Sequence, residues 1–157
     1  MDFLKRAAKT STHVVALTEA SPEQFPFDAI EVDFTSGITA AVEHLLDLGH
    51  ERFAFLCGLA TGQGAGDRPN VFNQMLKKHN IPENQNSFIP CAHDLLSACD
   101  TFGEFLDNCS GPKPTALIAM NDLTAIGAMR AASERGIRVP EDLSVIGVDN
   151  IPLGRFL

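Results

Sequence analysis

The stretch that decides the fold is PTALIAMNDLTAIGAMRAASERGIRVPEDLSVIGVDN, residues 114–150. Residues 115–120 form an apolar run of strand length, typical of a strand that is buried on both faces. Residues 123–135 are rich in Ala and Met and contain no Pro, which favours a helix, and residues 143–148 form a second apolar run. Two strands joined by a helix are expected to lie parallel in one sheet, so this stretch predicts an α/β fold.

Polar residues in this stretch follow directly after each predicted strand. Asn121 and Asp122 come after the first strand, and Asp149 comes after the second. The carboxyl ends of parallel strands meet at one edge, where open α/β sheets bind their ligands. A simpler interpretation stays open at this point: Asn121 or Asp122 could cap the helix, and Asp149 could only end a strand.

The preceding residues repeat the same scheme. Further strands are predicted at residues 52–57 and 87–91, and helices at residues 68–79 and 95–106. The order from residue 52 onward is β-α-β-α-β-α-β, which predicts a doubly wound parallel sheet of four strands. Arg68 begins one of these helices, either as a ligand contact at the same edge or as a solvated arginine of the first turn.

The first part of the chain is less regular. It predicts the end of a helix at residues 2–9, short strands at residues 14–17 and 29–32, and a helix from Thr35 to Gly49. Thr35 or Ser36 could cap that helix.

Composition excludes several classes of function. The net charge of −8 over 157 residues argues against a nucleic-acid surface, which needs clustered Lys and Arg. Neither a signal peptide nor an apolar run of membrane-spanning length is evident, so we expect a cytoplasmic location and no membrane partner. The four cysteines show no CxxC spacing and are expected to be reduced, mostly buried thiols. The histidines at positions 44, 50, 79 and 93 share no metal-ligand spacing.

One alternative points to an enzyme. The sequence GQGAG at residues 62–66 follows a predicted strand and precedes a helix, as a dinucleotide-binding loop does. Asp67 stands where the third glycine belongs, and the loop is too long for the tight turn. We therefore predict no cofactor, no metal and no catalytic residue, and keep a nucleotide-dependent enzyme as an alternative.

Three ordered motifs carry a family resemblance. They are AVEHLLDLGH with RFAFL (residues 41–50 and 52–56), MNDLTAIGA (120–128) and RVPEDLSVIGVDNIPL (138–153). In this order they resemble the lac/gal-repressor family of bacterial transcription regulators. The resemblance implies a two-lobed effector domain similar to periplasmic sugar-binding proteins. A small effector, usually a sugar or a nucleobase, would sit between the lobes and change how a dimer holds its operator DNA.

The resemblance also suggests which residues contact the effector. Arg68, four residues before Phe72, resembles the arginine of the family's Arg-x-x-Gly-aromatic pattern, although Val71 stands in place of the glycine. A planar guanidinium suits bidentate bonding to hydroxyls or a carboxylate. Asn121 resembles the amide of the family's Asn-Asp pair, and Asp149 resembles the first acid of its Gly-x-Asp-Asp/Asn motif.

The resemblance finally implies a division of the chain. Residues 1–34 would be a remnant of the N-terminal lobe and residues 35–157 the C-terminal lobe, with the helix-turn-helix head absent. Operator DNA would be contacted only through that head, and the sensor domain would form a homodimer. The alternative from another class is a periplasmic-type sugar-binding protein for transport. An upstream helix-turn-helix would favour the regulator, and a signal peptide would favour transport.

Overall fold

The computed structural model describes residues 6, 13–18, 27–58 and 68–157. Apart from residue 6, the helix end predicted at residues 2–9 lies outside the described residues, as does most of the glycine-rich loop before Arg68. The described residues form six strands: β1 (Val15–Thr18), β2 (Asp28–Glu31), β3 (Phe53–Gly58), β4 (Asn86–Cys91), β5 (Ala116–Ala119) and β6 (Ser144–Ile146).

Four α-helices and two short 3-10 helices alternate with these strands. They are α1 (Thr35–Asp47), α2 (Arg68–Lys78), α3 (Leu95–Asn108) and α4 (Asp122–Ser133), with 3-10 turns at Glu83–Gln85 and Pro152–Phe156. Each predicted strand and helix that falls within the described ranges is therefore confirmed, with ends that differ by a few residues. Neither Thr35 nor Ser36 caps α1: Phe34 is the N-cap residue, and Asp33 Oδ1 accepts from the Thr35 amide at 2.7 Å.

The larger sheet contains four parallel strands in the order β4-β3-β5-β6. Leu56 of β3 pairs with Ala119 of β5, and Ile118 of β5 pairs with Ile146 of β6. The chain proceeds from β3 outward to β4, and then continues with β5 and β6 on the other side of β3. The direction in which strands are added therefore reverses between β3 and β5. The predicted doubly wound parallel sheet is thus confirmed.

Apolar side chains cover both faces of this sheet. On one face, Phe53 and Phe55 of β3 pack with buried residues of α1 and α2. On the other face, Leu56 and Leu117 pack with buried residues of α3 and α4. Alternate residues of β3 therefore enter different cores, which is why the strand is apolar throughout.

The two short strands at the beginning form a separate parallel sheet, in which Leu17 pairs with Ile30. Both of these side chains are exposed, and so is Val15. After β2 the chain leaves the two-stranded sheet, and the later strands belong to the four-stranded sheet. The predicted boundary between two lobes at residue 34 stays a prediction. None of the described helices is long and apolar enough to cross a membrane.

Candidate functional site

The candidate site lies at the carboxyl edge of the four-stranded sheet and comprises Arg68 and the residues that follow β5 and β6. Asn121 follows the end of β5, Asp149 follows the end of β6, and Arg68 begins the helix that comes after β3. The parallel topology places all three strand ends at the same edge. The sheet therefore fixes the strand ends after which Asn121 and Asp149 lie.

Arg68 is the most buried charged group of this edge. Its residue surface is only 5% exposed, and its Nη1 donates to the main-chain oxygen of Met120 at 2.9 Å. The guanidinium also lies over the ring of Phe34, with 4.2 Å between Cζ and the ring centroid. The positive charge of Arg68 lies at the positive end of the α2 dipole, which is electrostatically unfavourable. The carbonyl and the aromatic ring offset this cost. The interpretation of Arg68 as a solvated residue is wrong.

Asn121 is the N-cap residue of α4. Its Oδ1 accepts from the main-chain amide of Thr124 at 2.9 Å. The main-chain amide of Asn121 donates to Thr124 Oγ1 at 3.3 Å, which completes a capping box. The capping interpretation of Asn121 is confirmed. The cap uses the oxygen of the side-chain amide and leaves out its NH2 group, which has two donors.

Asp122 does not cap the helix but holds the connection that carries Asp149. Its Oδ2 accepts from the Ile151 amide at 2.8 Å, and its main-chain amide donates to the oxygen of Val148 at 2.8 Å. A Cβ at Gly147 would collide with Asp122 Oδ1, so glycine permits the close approach. Asp122 therefore fixes the path of residues 147–151.

Asp149 and Asn150 both adopt positive φ angles within this connection, 106° and 54°. Such angles are uncommon for residues other than glycine, and Asn and Asp tolerate them better than most. Asp149 is exposed. Unfavourable backbone angles persist only where the surroundings hold them, and they are enriched at ligand sites.

Two hydrogen bonds bring the three predicted residues together. The carbonyl of Met120, directly before Asn121, accepts from Arg68. The amide of Asp122, directly after Asn121, donates to the carbonyl of Val148, which precedes Asp149. Asn121 thus lies between the other two, in a peptide segment fixed on both sides. The three side chains are one guanidinium, one amide and one carboxylate, which are groups that donate to or accept from small polar molecules. Among the described residues, no group of three or more His, Cys, Asp or Glu is arranged to hold a metal ion.

Phe34 was not predicted as part of this site. It precedes α1 and lies far in sequence from Arg68, and no local pattern connects an aromatic residue before one helix with an arginine at the start of the next. Burial of Arg68 could not be read from its position either, because a first-turn arginine usually faces water.

The cysteines do not form a second site. Cys57 belongs to the core on the α1 and α2 face, and Cys91 belongs to the core on the opposite face. Burial raises the pKa of the Cys91 thiol to about 11, with smaller contributions from Cys57 and Asp94, and burial also raises the pKa of Cys57. Both thiols are therefore protonated at neutral pH and unreactive. All four cysteines are free, with Cys99 and Cys109 only half-buried.

Comparison with known proteins identifies the protein family that this chain matches. A family model described as a periplasmic binding protein-like domain matches residues 42–157. The HTH-type transcriptional regulator DegA of Bacillus subtilis is 33% identical over 156 residues, which are 99% of this chain and 45% of that protein. The chain thus spans about half the length of the curated relatives it matches.

Solved structures give the same result. A LacI family transcriptional regulator from Enterococcus faecium, with bound ribose, superposes with a TM-score of 0.82 and 28% identity over 98% of this chain and 55% of its own. A LacI family transcriptional regulator from Arthrobacter, in complex with lactose, has a TM-score of 0.78 and 28% identity over 92% of this chain and 51% of its own. The resemblance to lac/gal repressors is confirmed.

Proposed function

Because the chain belongs to the family of periplasmic binding protein-like domains, we propose that it is the effector-sensing part of a DNA-binding transcriptional regulator. The observation that carries the proposal is the convergence of Arg68, Asn121 and Asp149 on one edge, linked through the peptides on either side of Asn121. The relatives named above are transcription regulators, and this favours a regulator over a transport protein or a nucleotide-dependent enzyme.

The proposed effector is a small polar molecule, a sugar or a nucleobase. Arg68 would donate to its hydroxyl, carboxylate or ring acceptors, the Asn121 NH2 would donate, and Asp149 would accept from hydroxyls or N–H groups. A sugar is the first choice, because two of the similar regulators were solved with ribose and lactose. No catalytic residue, cofactor or metal enters the proposal.

The remaining parts of the proposal follow the same relationship. Residues 1–34 would belong to the N-terminal lobe and residues 35–157 to the C-terminal lobe, with the effector between them. Operator DNA would be bound by a helix-turn-helix head outside these residues, because the net charge of −8 opposes DNA contact by this part. The regulator would act in the cytoplasm as a homodimer joined through its sensor domains.

The proposal can be tested by NMR titration of the 15N-labelled chain with D-ribose, lactose and guanine. We expect saturable shifts of the amides at 68, 121 and 149 with one of these probes. The informative variant is Asn121→Ser, because serine preserves the helix cap while it removes the amide NH2. Loss of one hydrogen bond should weaken binding roughly fivefold.

Asn108→Ser is the matched control. Asn108 lies at the end of α3 and donates to the Glu104 carbonyl, so it tests the same substitution at a helix end outside the candidate site. Affinity in this variant should match that of the unsubstituted chain. Shifts that map elsewhere, or equal binding by the Asn121→Ser chain, would contradict the assigned site; no response to any of the probes would contradict the proposed effector class.

A further inference from the structure

Phe34 occupies an unusual position relative to the candidate site. Phe34 lies in the connection between β2 of the two-stranded sheet and α1, which packs on the four-stranded sheet. Its ring nevertheless contacts the guanidinium of Arg68, with 4.2 Å between Cζ and the ring centroid. Its main chain is held in place, because the Phe34 carbonyl accepts from the Ile38 amide at 3.0 Å. The half-buried ring also packs against the core shared by α1 and α2.

The contact has an energetic reason. A guanidinium that is almost completely buried must replace the hydration it has lost. The Met120 carbonyl supplies one acceptor at 2.9 Å, and an aromatic face within about 6 Å of the cation supplies a second favourable interaction. The carbonyl bound at Nη1 and the ring 4.2 Å from Cζ together restrict how the planar guanidinium can turn.

We propose that Phe34 is a positioning residue of the effector site: it holds the Arg68 guanidinium in the orientation in which that group binds the effector. The role assigned to Arg68 rests on the proposed function, whereas the Phe34–Arg68 contact does not. The positioning group comes from the connection between the two sheets. A displacement of that connection would therefore change the orientation of Arg68.

The first test measures how accessible Arg68 is to phenylglyoxal, an arginine-selective reagent, with mass spectrometry of the modified peptides. In the unsubstituted chain Arg68 should react slowly, with the exposed Arg155 as internal reference. Phe34→Leu keeps an apolar side chain but removes the aromatic face, and should accelerate the modification of Arg68 roughly fivefold to tenfold. Phe34→Tyr keeps the face and should restore slow modification.

Phe105→Leu provides the matched control. Phe105 is also a partly buried phenylalanine, but it stacks on Phe102 in the opposite core, with ring centroids 5.9 Å apart. This variant should leave the reactivity of Arg68 unchanged even if it lowers the melting temperature. Equal acceleration by Phe105→Leu and Phe34→Leu would mean that general loosening exposes Arg68, and would overturn the proposal.

A measurement on the unsubstituted chain does not depend on any variant. The side-chain protons of Arg68, assigned with Arg68→Lys, should be shifted upfield by the ring current of Phe34. Arg68 resonances at ordinary positions would overturn the proposal.

Effector binding separates this inference from the proposed function. If D-ribose, lactose or guanine binds, Phe34→Leu should weaken binding roughly fivefold while Phe34→Tyr does not. If none binds but the reactivity pattern is as expected, Phe34 still positions Arg68 and the effector class proposed for the site is wrong. If a probe binds equally well to the Phe34→Leu chain, the proposed function survives and the positioning role is overturned.

Discussion

Replacing Gly127 by alanine is expected to destabilise the fold, although alanine is the better helix former. Gly127 lies within α4 where that helix meets α3. A Cβ at this position would collide with the Leu95 carbonyl oxygen and would lie 2.9 Å from Ala98 Cβ and 3.0 Å from the Cys99 nitrogen. None of these atoms is the end of a flexible side chain, so the two helices must separate.

The magnitude follows from two opposing effects. Overpacking of a close interface costs about 1–3 kcal/mol, and contact with a backbone carbonyl favours the upper end of that range. The change from glycine to alanine within a helix returns about 1 kcal/mol. The free energy of unfolding should thus fall by about 2 kcal/mol, which lowers the melting temperature by about 4–8 °C in a chain of this size.

Gly37→Ala is the matched control for this prediction. Gly37 also lies within a helix, α1, but apart from its chain neighbours and the backbone of its own helix, nothing lies within 4 Å of the Cβ that it would gain. This variant should be more stable by about 0.5 kcal/mol. Urea denaturation followed by circular dichroism measures both variants. A Gly127→Ala chain as stable as the Gly37→Ala chain would refute the argument from close helix packing.

The remaining predictions concern the edges of the sheet and its charges. Asp122→Ala should lower the free energy of unfolding by about 1–3 kcal/mol, and should broaden the NMR signals of residues 147–151, because the Ile151 amide loses its acceptor; sharp, unshifted signals would contradict this. His50→Ala should lower the free energy of unfolding in urea by about 1–3 kcal/mol, since the ring hydrogen-bonds with the hydroxyls of Thr115 and Ser144 at 3.0 Å each; an unchanged midpoint would show that these contacts contribute nothing. Burial lowers the pKa of His50, so protons bind the unfolded chain more readily and stability should decrease as the pH falls below about 6.5; the His50→Ala chain should lose this part of the dependence. The hydrogen bonds from Arg138 lower the pKa of Asp142 to about 2, so its carboxyl should titrate near that value by NMR and return toward 3.8 in Arg138→Gln. These 157 residues alone should not bind DNA, because their net charge of −8 opposes contact with phosphates; a shifted DNA band in a gel-shift assay would contradict this.

Helix caps illustrate how far local sequence can be used. Asn121 and Asp122 both had side chains able to accept from the first turn of α4, and sequence could not choose between them. In the fold Asn121 caps, while the Asp122 carboxylate accepts from an amide 29 residues away. Similarly, Thr35 and Ser36 were plausible caps of α1, but the N-cap position is Phe34, one residue earlier, and no side chain caps the helix there. The choice depended on neighbours that only the folded chain supplies.

The sequence alone determined the order of strands and helices, the parallel sheet and the edge at which Asn121 and Asp149 lie. It could do so because the pattern of apolar residues is a local property of the sequence, and because a helix between two strands makes them parallel. Only the tertiary structure decided that Arg68 is buried against Phe34 and bonded to a carbonyl 52 residues away. It also decided that Asp122 holds the connection to Asp149 and that a Cβ at Gly127 would collide with α3. Such contacts join elements that are distant in sequence, so they depend on how helices pack across the sheet, which no local pattern records.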